Sequence, residues 1–363
     1  MASGLLVVII DALDECTDRA GLKLVLEALI RAANNLPLKF FVSCRPDQQL
    51  INTITHQEGL NKCLYHLHDI EQSLVQADIE LYLRAELKSI HVLEEQIQAL
   101  VSRAGRLFIH AATAVRYIMN DAVSSNYERR LEAVMSIRPT TESKAHDALD
   151  ELYTTILVVA LEDPSLELSE TDAVGKVLHM VVCAKELLTL DALAVFLDIS
   201  DIRELKRSIA PLQSVLHVNE ESRLVSTLHA SFPDYMLTGH RSKRFYCNPQ
   251  EGNTVFARRC FDIMKRMLHF NMGGFASSYL VDADIPSLSS TVDDEIPSHL
   301  FYACRYWSDH VIDSEEFDDQ ITLVEGFLKR QFLFWAEAMN LKRATRDATL
   351  ALSKASNWVR VSR

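Results

Sequence analysis

The chain has 363 residues, 48% of them hydrophobic, enough to bury a sizeable core in two or three domains. Its formal charge of -13 argues against general binding to nucleic acid or to an anionic membrane, which needs an excess of Lys and Arg. Ten glycines and nine prolines are few for this length and favour long helices over a turn-rich all-β fold.

Seven cysteines, at 16, 44, 63, 183, 247, 260 and 304, are scattered without a Cys-x-x-Cys pair. The odd count and wide spacing predict reduced thiols rather than a disulfide framework or zinc site. The apolar run at Leu5 lacks a basic lead, and no stretch approaches the roughly 20 apolar residues of a membrane span. The expectation is a cytoplasmic protein with no membrane span and no secretion leader.

The first element is Leu5-Leu6-Val7-Val8-Ile9-Ile10. Six apolar, largely β-branched residues in a row predict a strand buried on both faces of a parallel sheet. Asp11, Asp14 and Glu15 follow at its carboxyl end, where open α/β sheets place ligands. Acids clustered there can hold magnesium and polarise a water. A helical stretch, Asp18 to Asn34, leads to a second apolar strand, Lys39-Phe40-Phe41-Val42-Ser43, which runs into Cys44-Arg45-Pro46.

The strand ending in Asp-x-x-Asp-Glu resembles the Walker B strand of P-loop nucleotidases, and most closely that of the NACHT branch of the STAND class, with Ala12 where glycine is more usual. The second strand resembles the family's sensor strand. The resemblance implies that Asp11 binds magnesium, Asp14 and Glu15 position a water, and Arg45 reaches toward the terminal phosphate of ATP or GTP. A Walker A loop, Gly-x-x-x-x-Gly-Lys-Ser/Thr, is absent. The sole Gly-Lys pair, Gly175-Lys176, is followed by Val177 and preceded by Glu170 at the first glycine position. The resemblance therefore implies a NACHT protein lacking the first half of its nucleotide domain.

Cys63-Leu64-Tyr65-His66-Leu67 is a candidate third strand of the same sheet. His66 and His68 alternate on one face, as metal ligands do, but strand alternation produces such pairs unaided and no further ligand stands nearby. Helical spacing takes over after Asp69, in segments around Ile79 to Leu87, Leu93 to Leu100 and Leu107 to Met119. The third opens Gly105-Arg106-Leu107-Phe108-Ile109-His110-Ala111-Ala112-Thr113, which resembles a signature of fungal NACHT proteins. His110 reads as a helix-packing residue.

Ala145 to Glu162 is a predicted long helix, followed by an acidic linker, 163–171. Between Asp172 and Gly239 the pattern becomes three helices and a hairpin. The helical segments are Val177 to Val182, Leu190 to Leu197 capped by Thr189, and Ile202 to Leu212. Two strands, Ser214 to Val218 and Leu224 to Leu228, are joined by Asn219-Glu220-Glu221-Ser222. Three helices and a wing make a winged helix, here read as regulatory because its third helix mixes Arg203, Lys206 and Arg207 with acids.

Leu228-His229-Ala230-Ser231-Phe232-Pro233-Asp234-Tyr235 resembles another fungal NACHT motif. The resemblance implies that His229 touches the β-phosphate of bound diphosphate, whereas its local sequence fits equally a helix-start histidine buried under Phe232. His229, Ser231 and Asp234 are too close in sequence for a hydrolase relay. Arg241-Ser242-Lys243-Arg244 reads as a solvated turn. The aromatic segments Cys260 to Asn271, Tyr302 to Trp307 and Phe332 to Trp335 read as core packing.

The expected fold is mostly α with a partial α/β start: a remnant P-loop sheet (1–70), a helical domain (71–140), a linker helix and winged helix (141–240) and a C-terminal helical region (241–363). The expected function is that of a truncated STAND-class signalling NTPase fragment, not competent for hydrolysis alone, that associates with itself or with a protein partner. Two alternatives remain: a non-enzymatic helical interaction module, and a magnesium-dependent phosphohydrolase built on Asp11, Asp14 and Glu15. The last is disfavoured because haloacid-dehalogenase enzymes need Asp-x-Asp, and these acids are three apart.

Overall fold

The structure, a computed structural model, describes residues 6–13, 16, 19–33, 38–45, 71–120, 127–137, 145–162, 167–275, 288–315 and 317–361. The chain is mostly helical and divides into two compact units, 1–70 and 71–363.

In the first unit, the apolar run forms β1 (Leu6–Ile10) and the second run forms β2 (Leu38–Val42), paired in parallel from Leu6 opposite Leu38 to Ile10 opposite Val42. A parallel pair needs a crossover, supplied by α1 (Arg19–Ala33). Leu22 and Leu26 of α1 bury themselves with Leu13, against which Ile10 and Val42 pack. The strand predicted to be buried on both faces is not. Leu6 is 61% exposed, Ile9 71% and Phe41 63%. Among the described residues one helix packs on the pair, and it seals only the region around the strands' carboxyl ends. The candidate strand 63–67, with His66 and His68, lies outside the described residues.

The second unit shares one continuous core. Its first helices follow their apolar spacing: α2 (Gln72–Glu86) buries Ile79 and Leu83, with Leu87 closing the row, and α3 (Glu94–Ala104) buries Ile97, Leu100 and Val101. Gly105, at φ 58°, turns the chain from α3 into α4 (Phe108–Ile118), which inserts His110, Ala111 and Ala114 into the core. Next come α5 (Tyr127–Ser136) and α6 (Ala145–Leu161).

The predicted linker 163–171 is shorter than expected. Helix α7 (Leu168–Cys183) already begins inside it, because the Glu170 carboxylate accepts the Glu167 amide at 3.0 Å and starts the helix one turn early. Then β3 (Leu188–Thr189) leads into α8 (Leu190–Leu197), capped by the Thr189 hydroxyl, which accepts from the Ala192 amide at 3.1 Å. Helix α9 (Ile202–Ile209) tightens into a 3-10 turn over Ala210–Leu212.

The hairpin β4 (Leu216–Val218) and β5 (Leu224–Thr227) turns where the Asn219 carboxamide accepts from the amides of Glu221 and Ser222. Strand β3, absent from the sequence reading, adds to β5, so the sheet is antiparallel in the order β3-β5-β4.

Helix α10 (Ser231–Met236) and the short α11 (Gly239–Ser242) lead to α12 (Pro249–Met267), whose first turn is capped by Asn248 and opened by a proline. The remaining helices are α13 (Leu288–Glu295), α14 (Ser298–Ile312), α15 (Phe317–Arg330), α16 (Phe332–Leu341) and α17 (Thr345–Val361). Trp335 meets Trp307 and Phe327 edge to face, those two rings tilt against each other, and the Trp335 indole donates to the Cys304 carbonyl at 2.8 Å. The basic run at 241–244 is not simply a solvated turn. Ser242 is buried, and Arg241 forms a two-pronged ion pair with Asp150 of α6 at 2.9 and 2.7 Å. A guanidinium fork matches a carboxylate geometrically, which is why this residue turns inward while Arg244 remains at the surface.

Candidate functional site

The parallel pairing of β1 and β2 carries their following residues side by side. The Ser43 amide donates to the Ile10 carbonyl, and the Leu13 amide returns to the Ser43 carbonyl, both at 3.0 Å. Asp11 therefore lies beside Ser43. The Ser43 hydroxyl donates to Asp11 Oδ1 and accepts from the Ala12 amide at 3.0 Å. The same amide lies 3.0 Å from Asp11 Oδ1. Two donors thus fix an exposed carboxylate at the mouth of the strand pair.

Ala12 is held at φ 51°, in the left-handed region where glycine is at ease. Replacing Ala12 with valine should destabilise the first unit by roughly 1–2 kcal/mol, since a β-branched side chain fits this region poorly, whereas glycine should be accepted within about 0.5 kcal/mol. Hydrogen-exchange protection of the β1 amides reads both outcomes.

Arg45 stands two residues beyond Ser43, exposed, at the same end of the strand pair. Asp14 and Glu15 lie outside the described residues. Asp11 offers one carboxylate at this end, and a magnesium ion takes oxygen ligands, uses one or two carboxylates and keeps several waters. A nucleotide does not find its phosphate cradle in these 363 residues, which contain no glycine-rich loop ending in Gly-Lys-Ser/Thr. No cluster of three or more His, Cys, Asp or Glu able to hold a metal occurs among the described residues.

His229 belongs to the second unit, just before α10. It is exposed, not buried under Phe232, which fills the core alone at 1% exposure. Its Nδ1 accepts from the Ser231 amide at 3.1 Å and lies 2.7 Å from the Ser231 hydroxyl. In the neutral ring the proton therefore sits on Nε2. The Ser231 hydroxyl also lies 2.9 Å from the hydroxyl of Tyr153 on α6. One residue on, Thr154 meets the Tyr235 hydroxyl at 2.8 Å. Asp150, Tyr153 and Thr154 share one face of α6 and hold α10 and α11 through three side-chain links.

Sequence reasoning placed a long helix over this segment and singled out neither Asp150 nor Tyr153 for a polar contact. Nothing in the sequence marks Asp150 and Thr154 apart, because the same helix also carries His146, Asp147, Glu151 and Thr155.

The site and fold thus define a mostly helical protein with a short parallel strand pair that ends in an anchored acid. Such a protein has a distant known counterpart. The chain is 24% identical over 376 residues to the vegetative incompatibility protein HET-E-1 of Podospora anserina, a match covering 95% of this chain and 26% of that protein. The chain thus spans about a quarter of the length of the curated relative it matches. This similarity is compatible with a fungal NLR-like family. No protein-family model matches the chain, and no solved structure does. No helix among the described residues is long and apolar enough to cross a membrane.

Proposed function

We propose that this chain is part of a fungal NACHT-type STAND signalling protein, cytoplasmic, working through protein association and unable to hydrolyse NTP with these residues alone. The observation that carries the proposal is the Asp11–Ser43 pairing at the carboxyl ends of adjacent parallel strands, the place where a nucleotidase of this class keeps its magnesium-binding acid. The similarity to an incompatibility protein along 95% of the chain supports it.

In this reading residues 1–70 belong to the nucleotide domain, 71–140 to a helical domain, 141–240 to a linker helix and winged helix, and 241–363 to a helical region. The succession α7, β3, α8, α9, β4, β5 supports the winged helix. Asp11 would bind magnesium, Asp14 and Glu15 would position water, Arg45 would meet the terminal phosphate and His229 the diphosphate. ATP or GTP would be held by a phosphate loop that these residues do not include.

Calorimetry with magnesium-ATP and magnesium-GTP tests the reading. The folded chain should bind neither more tightly than about 1 mM, and Asp11→Ala should change nothing. Micromolar binding that Asp11→Ala removes would overturn the claim that the chain is incompetent alone. It would favour the phosphohydrolase reading instead. The interaction-module reading draws on Leu6, Ile9 and Phe41, whose exposed apolar side chains suit a protein partner; light scattering that finds only monomer at high concentration would count against self-association.

A further inference from the structure

Two cysteines far apart in sequence meet inside the second unit. Cys183 ends α7, Cys247 stands just before the Asn248 cap of α12, and their sulfurs are 3.5 Å apart. Both are free thiols, Cys183 at 7% exposure and Cys247 at 1%. We propose that Cys183 and Cys247 are a redox-modification site, converted by hydrogen peroxide into a disulfide that fastens α7 to the start of α12.

Three observations place the chemistry. First, the sulfurs already touch, so a bond of about 2.05 Å requires an approach of about 1.5 Å, within the reach of side-chain rotation. Second, the chain keeps room for the sulfur. A Cβ on Gly252, in the first turn of α12, would fall 2.4 Å from Cys183 Sγ and 3.1 Å from Cys183 Cβ. Third, the two thiols are chemically unequal. Donation from the Cys247 thiol holds Cys183 below its usual range, aided by the Lys185 ammonium, whereas the same bond and burial push Cys247 well above it. Cys183 is therefore the attacking sulfur and Cys247 the resolving one.

The steps balance without another reactant. The Cys183 thiolate attacks one peroxide oxygen and breaks the O–O bond. This gives a sulfenic acid, and the departing hydroxide takes up the proton that the thiol released to form water. Cys247 sulfur then attacks Cys183 sulfur, and the hydroxyl leaves as a second water with the Cys247 proton. Two thiols are oxidised by two electrons and one peroxide is reduced. Cys260 and Cys304 serve as an internal contrast: both are fully buried on α12 and α14, with thiols raised far above the usual range by burial.

The test treats the purified 363-residue protein, with Cys16, Cys44 and Cys63 replaced by serine, with a few equivalents of hydrogen peroxide. Mass spectrometry should find a loss of two hydrogens, a proteolytic cross-link joining the Cys183 and Cys247 peptides, and full reversal by dithiothreitol. The oxidised form should melt roughly 7 °C higher, because the bond closes a loop of 64 residues. Cys247→Ser should strand Cys183 as a sulfenic acid that dimedone traps, and Cys183→Ser should leave Cys247 unlabelled. Recovery of both thiols unmodified from the peroxide-treated protein, or oxidation confined to Cys260 and Cys304, would overturn the proposal, and that readout needs neither cysteine variant to fold.

Discussion

Lowering the pH from about 6.5 to about 4 should cost the 71–363 unit roughly 3 kcal/mol of folding stability through His110 alone. The ring is 1% exposed on α4, and neither nitrogen has a hydrogen-bond partner among the described residues. Burial, with Arg103 nearby, depresses its pKa from 6.5 to about 4. The unfolded chain therefore takes up a proton near pH 6.5 that the folded chain refuses until about pH 4. The contribution to stability is intact above the first value and disappears as the pH falls through the second. The gap between them, at about 1.4 kcal/mol per pH unit, gives the estimate.

His110→Leu should abolish this part of the acid loss and also stabilise the protein at pH 7, by removing two buried nitrogens without partners. Urea titrations of both proteins at pH 7, 5.5 and 4.5 measure the difference directly. His310, whose pKa burial also lowers, titrates alike in the two proteins and cancels. Parallel curves would remove His110 from the account.

The second large effect is expected at Tyr302, on α14. The Lys185 amide donates to the Tyr302 oxygen at 2.9 Å, and the Tyr302 hydroxyl lies 2.9 Å from His310 Nε2. His310 in turn donates from Nδ1 to the Asn253 carbonyl oxygen at 2.7 Å, and the Asn253 amide reaches the Pro249 carbonyl at 2.7 Å. Because the Asn253 NH2 is committed to the Pro249 carbonyl, its oxygen faces His310 Nδ1 and makes that nitrogen the donor, and Nε2 of the neutral ring then accepts the Tyr302 proton. The ring of His310 stacks on Phe256 with centroids 4.4 Å apart.

Tyr302→Phe keeps the packing and deletes only the hydroxyl, taking that partner from the half-buried Lys185 amide and from the buried His310 Nε2. The expected loss is about 2–5 kcal/mol, a fall of roughly 3–8 °C in Tm. A variant within about 0.5 kcal/mol of the parent would mean that water reaches both groups.

What the sequence conveyed and what it withheld divide along the range of the interactions. The rows Ile79-Leu83-Leu87 and Ile97-Leu100-Val101 are local, so their spacing alone places α2 and α3. The place of Asp11 at the end of β1 was legible because a strand ending in an acid is also a local pattern. Arg241 was not: its partner, Asp150, is 91 residues away, and a run of four mostly basic residues looks the same whether or not one of them turns inward. Strand β3 has two residues, too few for any period, and exists because β5 offers it an edge. The exposure of β1 was misjudged because β-branched content reports that a strand is suited to burial, while coverage depends on which elements pack against it. The redox pair and the Tyr302–His310 relay likewise join residues whose neighbours in sequence give no hint of the meeting.

The three links from α6 have a mechanical consequence. Asp150 grips Arg241, Tyr153 meets Ser231 and Thr154 meets Tyr235, all within a single helical turn. Because the grips are so close together along α6, any sliding of α10 and α11 strains all three at once. None can lengthen far while the others hold, for a hydrogen bond weakens steeply within a fraction of an ångström. The junction therefore yields as a catch does, by release and not by gradual creep, and His229, hung from the Ser231 end, shares whichever position the catch is in.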